Sequence, residues 1–128
     1  MHVPIRILLV DDEPTILLGL SHVLRRAGAE VIPCLGRQEA EEVIRHDQFD
    51  LALMDVRLSG SEERAGLDLL CLLKERSPHT TAVVMTAFGS EELRRDALAC
   101  GASHYLDKPL NLDFLLDLLR GLPQPSSC

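Results

Sequence analysis

The chain has 128 residues, enough for one domain with a hydrophobic core and too few for two of ordinary size. Apolar residues make up 46% and charged residues 26%, which excludes a disordered or fibrous chain, and the scarcity of aromatics leaves Leu, Val, Ile and Ala to fill the interior. The net charge is -7 and the 13 Lys and Arg form no basic stripe, which argues against direct nucleic-acid binding and favours a cationic ligand or a basic partner.

The apolar run IRILLV (5–10) predicts a first strand, which delivers Asp11, Asp12 and Glu13 to one point. Ile16, Leu17, Leu20, Val23, Leu24 and Ala27 then fall on one helical face, closed by Gly28 in a position suited to a C-cap. EVIPC (30–34) predicts a second strand, and Ala40, Val43 and Ile44 mark a weaker second helix. DLALMD (50–55) is a third strand ending in Asp55, and Leu67, Leu70 and Leu73 mark a third helix that Pro78 stops. TAVVMT (81–86) ends in Thr86 and is followed by the small Ala87; Ser90 can cap a fourth helix that ends at Gly101. SHYLD (103–107) leads to Lys108 and Pro109, and Asn111 can cap a fifth helix that ends at Gly121.

Five strands alternating with five helices predict an α/β fold built of βα units, with a mainly parallel sheet covered on both faces. The first, third and fourth strands are apolar enough to be central; the second and fifth suit edges. The domain is expected over 1–121, with LPQPSSC (122–128) a frayed end or the start of a linker. Cys34, Cys71, Cys100 and Cys128 are far apart in sequence without a C-x-x-C pair, which predicts free thiols in a reducing compartment. No apolar run approaches a membrane span and MHVPIRILLV lacks the leader of a signal peptide, so no membrane association and a cytoplasmic location are expected.

Ligands of an open parallel α/β sheet bind outside the carboxyl ends of its strands. Asp11, Asp12, Asp55, Thr86 and Lys108 all fall at such ends. Each alone has an ordinary structural explanation, as a helix cap, a strand-end hydroxyl or a solvated lysine. Their joint appearance at four strand ends does not. Clustered oxygen ligands suit a hard divalent cation such as Mg²⁺, which prefers a few carboxylates plus waters and phosphate oxygens.

With these residues in place, the chain resembles the receiver domain of bacterial two-component response regulators. LLVDDEP, LALMDVRL, VVMTA and YLDKPL match, in order, that family's acidic pair, phosphoacceptor, switch hydroxyl and lysine motifs. The resemblance implies a flavodoxin-like, doubly wound sheet in the order 2-1-3-4-5. It implies Mg²⁺-dependent phosphorylation of Asp55 by a sensor histidine kinase or phosphotransfer protein, with no separate substrate turned over. Asp12, Asp55 and the backbone carbonyl of Arg57 would be direct metal ligands, and Asp11 would act through water. Lys108, the Thr86 hydroxyl and the Ala87 amide would each take up charge on the transferred oxygens.

The resemblance also implies a switch in which Thr86 moves toward the phosphoryl group and the Tyr105 ring moves inward. The alternative for Tyr105 is a half-buried aromatic on an edge strand. The responding surface would be helix four, strand five and helix five, facing an output domain, a downstream protein or a second copy. Helix five carries Leu112, Phe114, Leu115, Leu116, Leu118 and Leu119, and its excess of apolar residues fits either such a contact or a broad core face. Pro109 resembles the family's cis-proline, although trans is the commoner isomer.

The sequence departs from the family pattern in three places. Leu58 and Ser59 stand at the usual Met-Pro pair and Gly66 comes late, so the loop holding Glu62, Glu63 and Arg64 is longer. Arg57 and Phe88 are bulky, which predicts slow loss of an aspartyl phosphate to water. Glu13 is read as a first-turn acid favoured by the helix dipole. A haloacid-dehalogenase-type phosphatase would need an acid where Arg57 stands, and arginine cannot donate a proton at neutral pH. A Rossmann nucleotide site would need glycines where DDEP stands. A receiver acting only as an unphosphorylated binding module would not require the full set of acids, hydroxyl and lysine.

Overall fold

Alternate residues of a strand point to opposite faces of its sheet, so a strand buried on both sides must be apolar at every position. β3 (Leu51–Asp55) meets that condition through Met54 and is buried along its whole length, ending in the buried but charged Asp55. β1 (Arg6–Val10) and β4 (Thr81–Thr86) are buried at every position after the first. β2 (Glu30–Cys34) and β5 (His104–Asp107) are more exposed and lie at the two edges of the sheet. The computed structural model describes residues 4–55, 64–87 and 89–122.

The five strands are parallel throughout and lie in the order β2-β1-β3-β4-β5. Each expected strand is present to within one residue at either end. Pro33 is tolerated because β2 is an edge, where a missing N–H need not interrupt a central ladder.

The helices are α1 (Pro14–Arg26), α2 (Arg37–His46), α3 (Arg64–Arg76), α4 (Glu91–Ala99) and α5 (Leu112–Gly121). Leu8, Val10, Ala52, Met54, Ala82 and Val84 face one way, against Ala40 and Ile44 of α2, Leu67, Leu70 and Leu73 of α3, and Leu93 and Ala97 of α4. Ile7, Leu9, Leu51, Leu53, Val83 and Met85 face the other way, against Leu17, Leu20 and Leu24 of α1 and Leu115 and Leu119 of α5. Each buried leucine contributes roughly 1.5–3 kcal/mol of transfer free energy, so these two layers hold the sheet rigid under the strand ends. Leu122 is buried in the second layer.

Local signals set the helix ends. Gly28 and Gly101 take φ of +97° and +107°, the left-handed conformation that closes a helix. Ser90 Oγ accepts from the Leu93 amide, and Asn111 Oδ1 accepts from the Phe114 amide at 3.1 Å. Ala27, expected on the inward face of α1, is exposed because the helix ends at Arg26 and Ala27 is its C-cap.

The cysteine expectation is corrected at one pair. Cys71 on α3 and Cys100 after α4 form a disulfide, because two helices on the same face of the sheet bring residues 29 apart in sequence to a Cα separation of 5.2 Å. Cys34 is a free, buried thiol, and Cys128 lies outside the described residues. Among the described residues no helix is long and apolar enough to cross a membrane.

Candidate functional site

The parallel ladder levels the strand ends. Val10 pairs with Met54, Asp55 with Met85 and Thr86 with Asp107, so the residues at or just after these positions emerge on one rim of the sheet. Asp11 extends the edge further, its amide donating to the Cys34 carbonyl at 3.1 Å. Its side chain is fully buried, and Oδ1 accepts from the Glu13 amide at 2.9 Å. Asp55, also buried, is the last residue of β3, and Asp12 is half-buried in the β1–α1 turn. One carboxylate oxygen from each of Asp11, Asp12 and Asp55 lies within 4.8 Å of the other two.

Lys108 reaches this cluster from the far side. Its backbone amide donates to the Thr86 carbonyl at 2.9 Å, and the Lys108–Pro109 peptide is cis. Its Nζ lies 2.7 Å from Asp11 Oδ2, 2.9 Å from Asp55 Oδ2 and 3.2 Å from Glu13 Oε1. The contact with Asp55 is a hydrogen bond, whereas that with Asp11 is a close ion pair without hydrogen-bond geometry, leaving Asp11 Oδ2 with no directional donor. The lysine side chain is 8% exposed. Ile16, Leu20, Met85 and Leu110 line an apolar cleft with it, so its stem has apolar neighbours while its ammonium sits among acids.

Burial pushes the Asp11 pKa up, and the nearby Lys108 ammonium and the bond from the Glu13 amide only partly offset this. Burial acts on Lys108 in the opposite sense, but its pairing with Asp11 and Asp55 outweighs it and raises the lysine pKa, so the ammonium stays charged. One ammonium balances one of three clustered carboxylates. An excess of oxygen ligands with a buried carboxylate oxygen lacking a directional donor is the donor set of a hard divalent cation.

Thr86 is fully buried at the end of β4, and Ala87 after it is exposed. Tyr105 is half-buried on β5, and its hydroxyl accepts from the Ser90 amide at 3.3 Å. That position depends on Gly89, where a Cβ would overlap the tyrosine hydroxyl and come within 3.1 Å of Thr86 Cγ2. Arg57, Phe88 and the loop residues Leu58, Ser59, Glu62 and Glu63 lie outside the described residues, as does any test of their expected roles. Gly66 is buried in the first turn of α3.

Two site contributions escape sequence reasoning. Glu13 is not a first-turn acid but stands at the N-cap position without capping, its carboxylate turned to Lys108. The attraction of a buried ammonium overrides that of the helix dipole, and nothing local in the sequence signals a partner 95 residues away. Gly89 is an isolated glycine whose only signal is its place between Thr86 and the cap Ser90.

Comparison with known proteins assigns the family. Residues 7–120 match the response regulator receiver domain model. The chain is 37% identical over 112 residues to the response regulator protein PilR of Pseudomonas aeruginosa, covering 88% of this chain and 24% of PilR. It is 38% identical over 114 residues to the transcriptional regulatory protein ZraR of Escherichia coli, covering 89% of this chain and 25% of ZraR. The chain thus spans about a quarter of the length of these curated relatives. A CheY-like response regulator receiver domain protein from Methanospirillum hungatei superimposes with a TM-score of 0.85 at 31% identity, over 92% of both chains. A response regulator from Burkholderia pseudomallei, solved with a phosphorylated aspartic acid, calcium ion and citrate, gives 0.83 at 27% identity over 90% of this chain and 66% of its own. With the sheet order, the acidic rim and the matched span in agreement, this chain belongs to the response regulator receiver domain family.

Proposed function

We propose that this chain is a phosphorylation-controlled switch in which Asp55 accepts a phosphoryl group from the phosphohistidine of a sensor kinase or phosphotransfer protein. The observation that carries this reading is the convergence of Asp11, Asp12, Asp55 and Lys108 on one buried rim. The phosphorylated aspartate and calcium ion of the Burkholderia relative support it.

In the transfer, an Asp55 carboxylate oxygen attacks phosphorus, the phosphorus–nitrogen bond of the donor breaks, and the imidazole leaves with its electron pair and takes up a proton. Negative charge on the transferred oxygens is the principal obstacle, and fixed positive groups lower it. Lys108 Nζ, 2.9 Å from Asp55 Oδ2, is already placed to pass from that oxygen to a phosphoryl oxygen. The Thr86 hydroxyl and the Ala87 amide receive another. Asp12, Asp55 and the Arg57 carbonyl would hold Mg²⁺, with Asp11 acting through water; the ion supplies a further positive charge to the phosphoryl oxygens.

Thr86 and Tyr105 form the switch, and Gly89 lies between them. The responding surface is α4, β5 and α5, where Leu98, Leu112 and Phe114 are exposed and Phe114 meets the His104 ring edge-on at 5.4 Å. It serves an output domain, a downstream protein or a second copy of the chain. The name of the longer relative ZraR, a transcriptional regulatory protein, favours control of transcription. The deciding experiment is intact mass after incubation with acetyl phosphate and Mg²⁺. One phosphoryl adduct is expected on the wild type and none on Asp55→Asn; an adduct that persists in the variant overturns the assignment.

A further inference from the structure

The disulfide between α3 and α4 lies apart from the acidic rim. Cys71 is exposed and Cys100 half-buried, and their Cα separation of 5.2 Å falls within the range a disulfide spans without backbone movement. The two helices it ties follow β3, which ends in Asp55, and β4, which ends in Thr86. The bridge meets α4 at its C-cap, the end remote from Ser90 and the Tyr105 hydroxyl.

Beside the bridge, Lys74, one turn after Cys71, lays its stem over Gly101. A Cβ on Gly101 would come within 3.0 Å of Lys74 Cγ and 3.2 Å of Cε. The Lys74 ammonium is held by the carbonyls of Pro78 and Thr80. This end of α4 is therefore seated against α3 by a sulfur bridge and one aliphatic stem, both at the surface.

Cys100 packs half-buried at the margin of the core and Cys71 is exposed. Both faces of the sheet are covered by buried apolar side chains. A domain of this size does not need a covalent staple. Exposed disulfides in such domains are the labile ones, open to exchange with small thiols. The geometry points to a reversible dithiol–disulfide clasp at Cys71 and Cys100 that fixes the far end of α4 against α3 according to the thiol balance around it.

The oxidant is a low-molecular-weight disulfide such as glutathione disulfide. The exposed Cys71 thiolate attacks one of its sulfurs; the small disulfide bond breaks, one small thiolate leaves and a mixed disulfide forms. The Cys100 thiolate then attacks Cys71 Sγ, forming the internal bridge and releasing the second small thiolate. The protein loses two electrons and two protons, and the small disulfide becomes two thiols. An excess of small thiol runs the steps backward.

The test uses the full chain equilibrated at graded ratios of glutathione to glutathione disulfide, then acid-quenched, alkylated and mapped by mass spectrometry. A Cys71–Cys100 cross-linked peptide is expected under oxidising ratios and its loss under reducing ones. Hydrogen exchange of the Cys100 and Gly101 amides, which bond to Asp96 and Leu98, is expected to slow about tenfold in the bridged form. The exposed site lets Cys71→Ser fold, and its exchange should not respond to oxidant. Alkylation of both cysteines at every ratio overturns the clasp, as does a bridge that glutathione cannot open. Equal exchange in bridged and reduced protein, or slowing in Cys71→Ser, overturns it too. None of these readouts depends on phosphorylation of Asp55.

Discussion

The hydroxyl of Tyr105 lies over Gly89 so closely that the smallest side chain there would overlap it. In Gly89→Ala the ring must swing aside and give up its bond from the Ser90 amide. Losing that bond costs about 1 kcal/mol, while removing a glycine from a loop stabilises by roughly 0.4–1 kcal/mol through the unfolded chain. The two offset, so the melting temperature should barely move. Tyrosine emission should change, because Tyr105 is the single tyrosine and the chain has no tryptophan to mask it. Unchanged emission, with unchanged exchange at the Ser90 amide, would show that the ring does not need the clearance.

Lys108 is the counter-charge of a buried carboxylate. In Lys108→Met, Asp11 and Asp55 keep their burial and lose the ammonium at 2.7 and 2.9 Å. Removing one partner of a buried pair leaves an uncompensated charge, and the metal-free variant should be destabilised by roughly 2–4 kcal/mol at pH 7.5. The pH dependence has a definite sign. Burial already raises the Asp11 pKa in the folded state, so its protonation favours folding: that contribution is full below the unfolded value of 3.8 and is lost as pH rises through the folded one. The variant lacks the lysine that holds this pKa down, so its deficit should shrink toward acid pH. Denaturant melts in a chelator at several pH values test this, and a deficit that grows on acidification contradicts it.

How far the sequence carries depends on whether the cause is local. The strands are legible because burial on both faces leaves β1, β3 and β4 continuously apolar, and the site is legible because Asp11, Asp55 and Thr86 stand where those runs stop. Periodicity does not order the strands; only resemblance to a family does. The approach of Glu13 to Lys108 and the seat of Tyr105 over Gly89 join residues whose separations in sequence carry no pattern. Four cysteines allow three complete pairings, and only the packing of α3 beside α4 selects Cys71 with Cys100.

Cys34 offers a reporter of opening in the core. It ends β2 fully buried, and burial, with a smaller push from Glu39, raises its thiol pKa to about 12. The thiolate is the reactive species, so native Cys34 should resist iodoacetamide at pH 8 and react only after unfolding. Its effect on stability has the same sign as that of Asp11, because burial raises both pKa values. The neutral buried thiol contributes fully below the unfolded value of 9.0, and the contribution is lost as pH rises through the folded value of about 12. Labelling of Cys34 followed by peptide mapping checks the first point; native-state labelling as fast as in denaturant would place the thiol at the surface.

Leu17 and Leu18 are neighbours in α1 with opposite fates. Leu17 is 8% exposed, packed beneath the sheet with Leu20 and Leu24, whereas Leu18 is 73% exposed. The helical turn of about 100° per residue carries one inward and the next outward. Leu17→Ala removes buried methyl groups and leaves space that packed neighbours fill only partly, a loss of roughly 2–4 kcal/mol. Leu18→Ala gives up almost no burial and little helix propensity, so its effect should stay within about 0.5 kcal/mol. Urea melts should therefore show a large fall in midpoint for the first variant and almost none for the second, with similar slopes. Equal losses would mean that α1 is rotated about its axis from the orientation that sets Asp11 and Glu13 against Lys108.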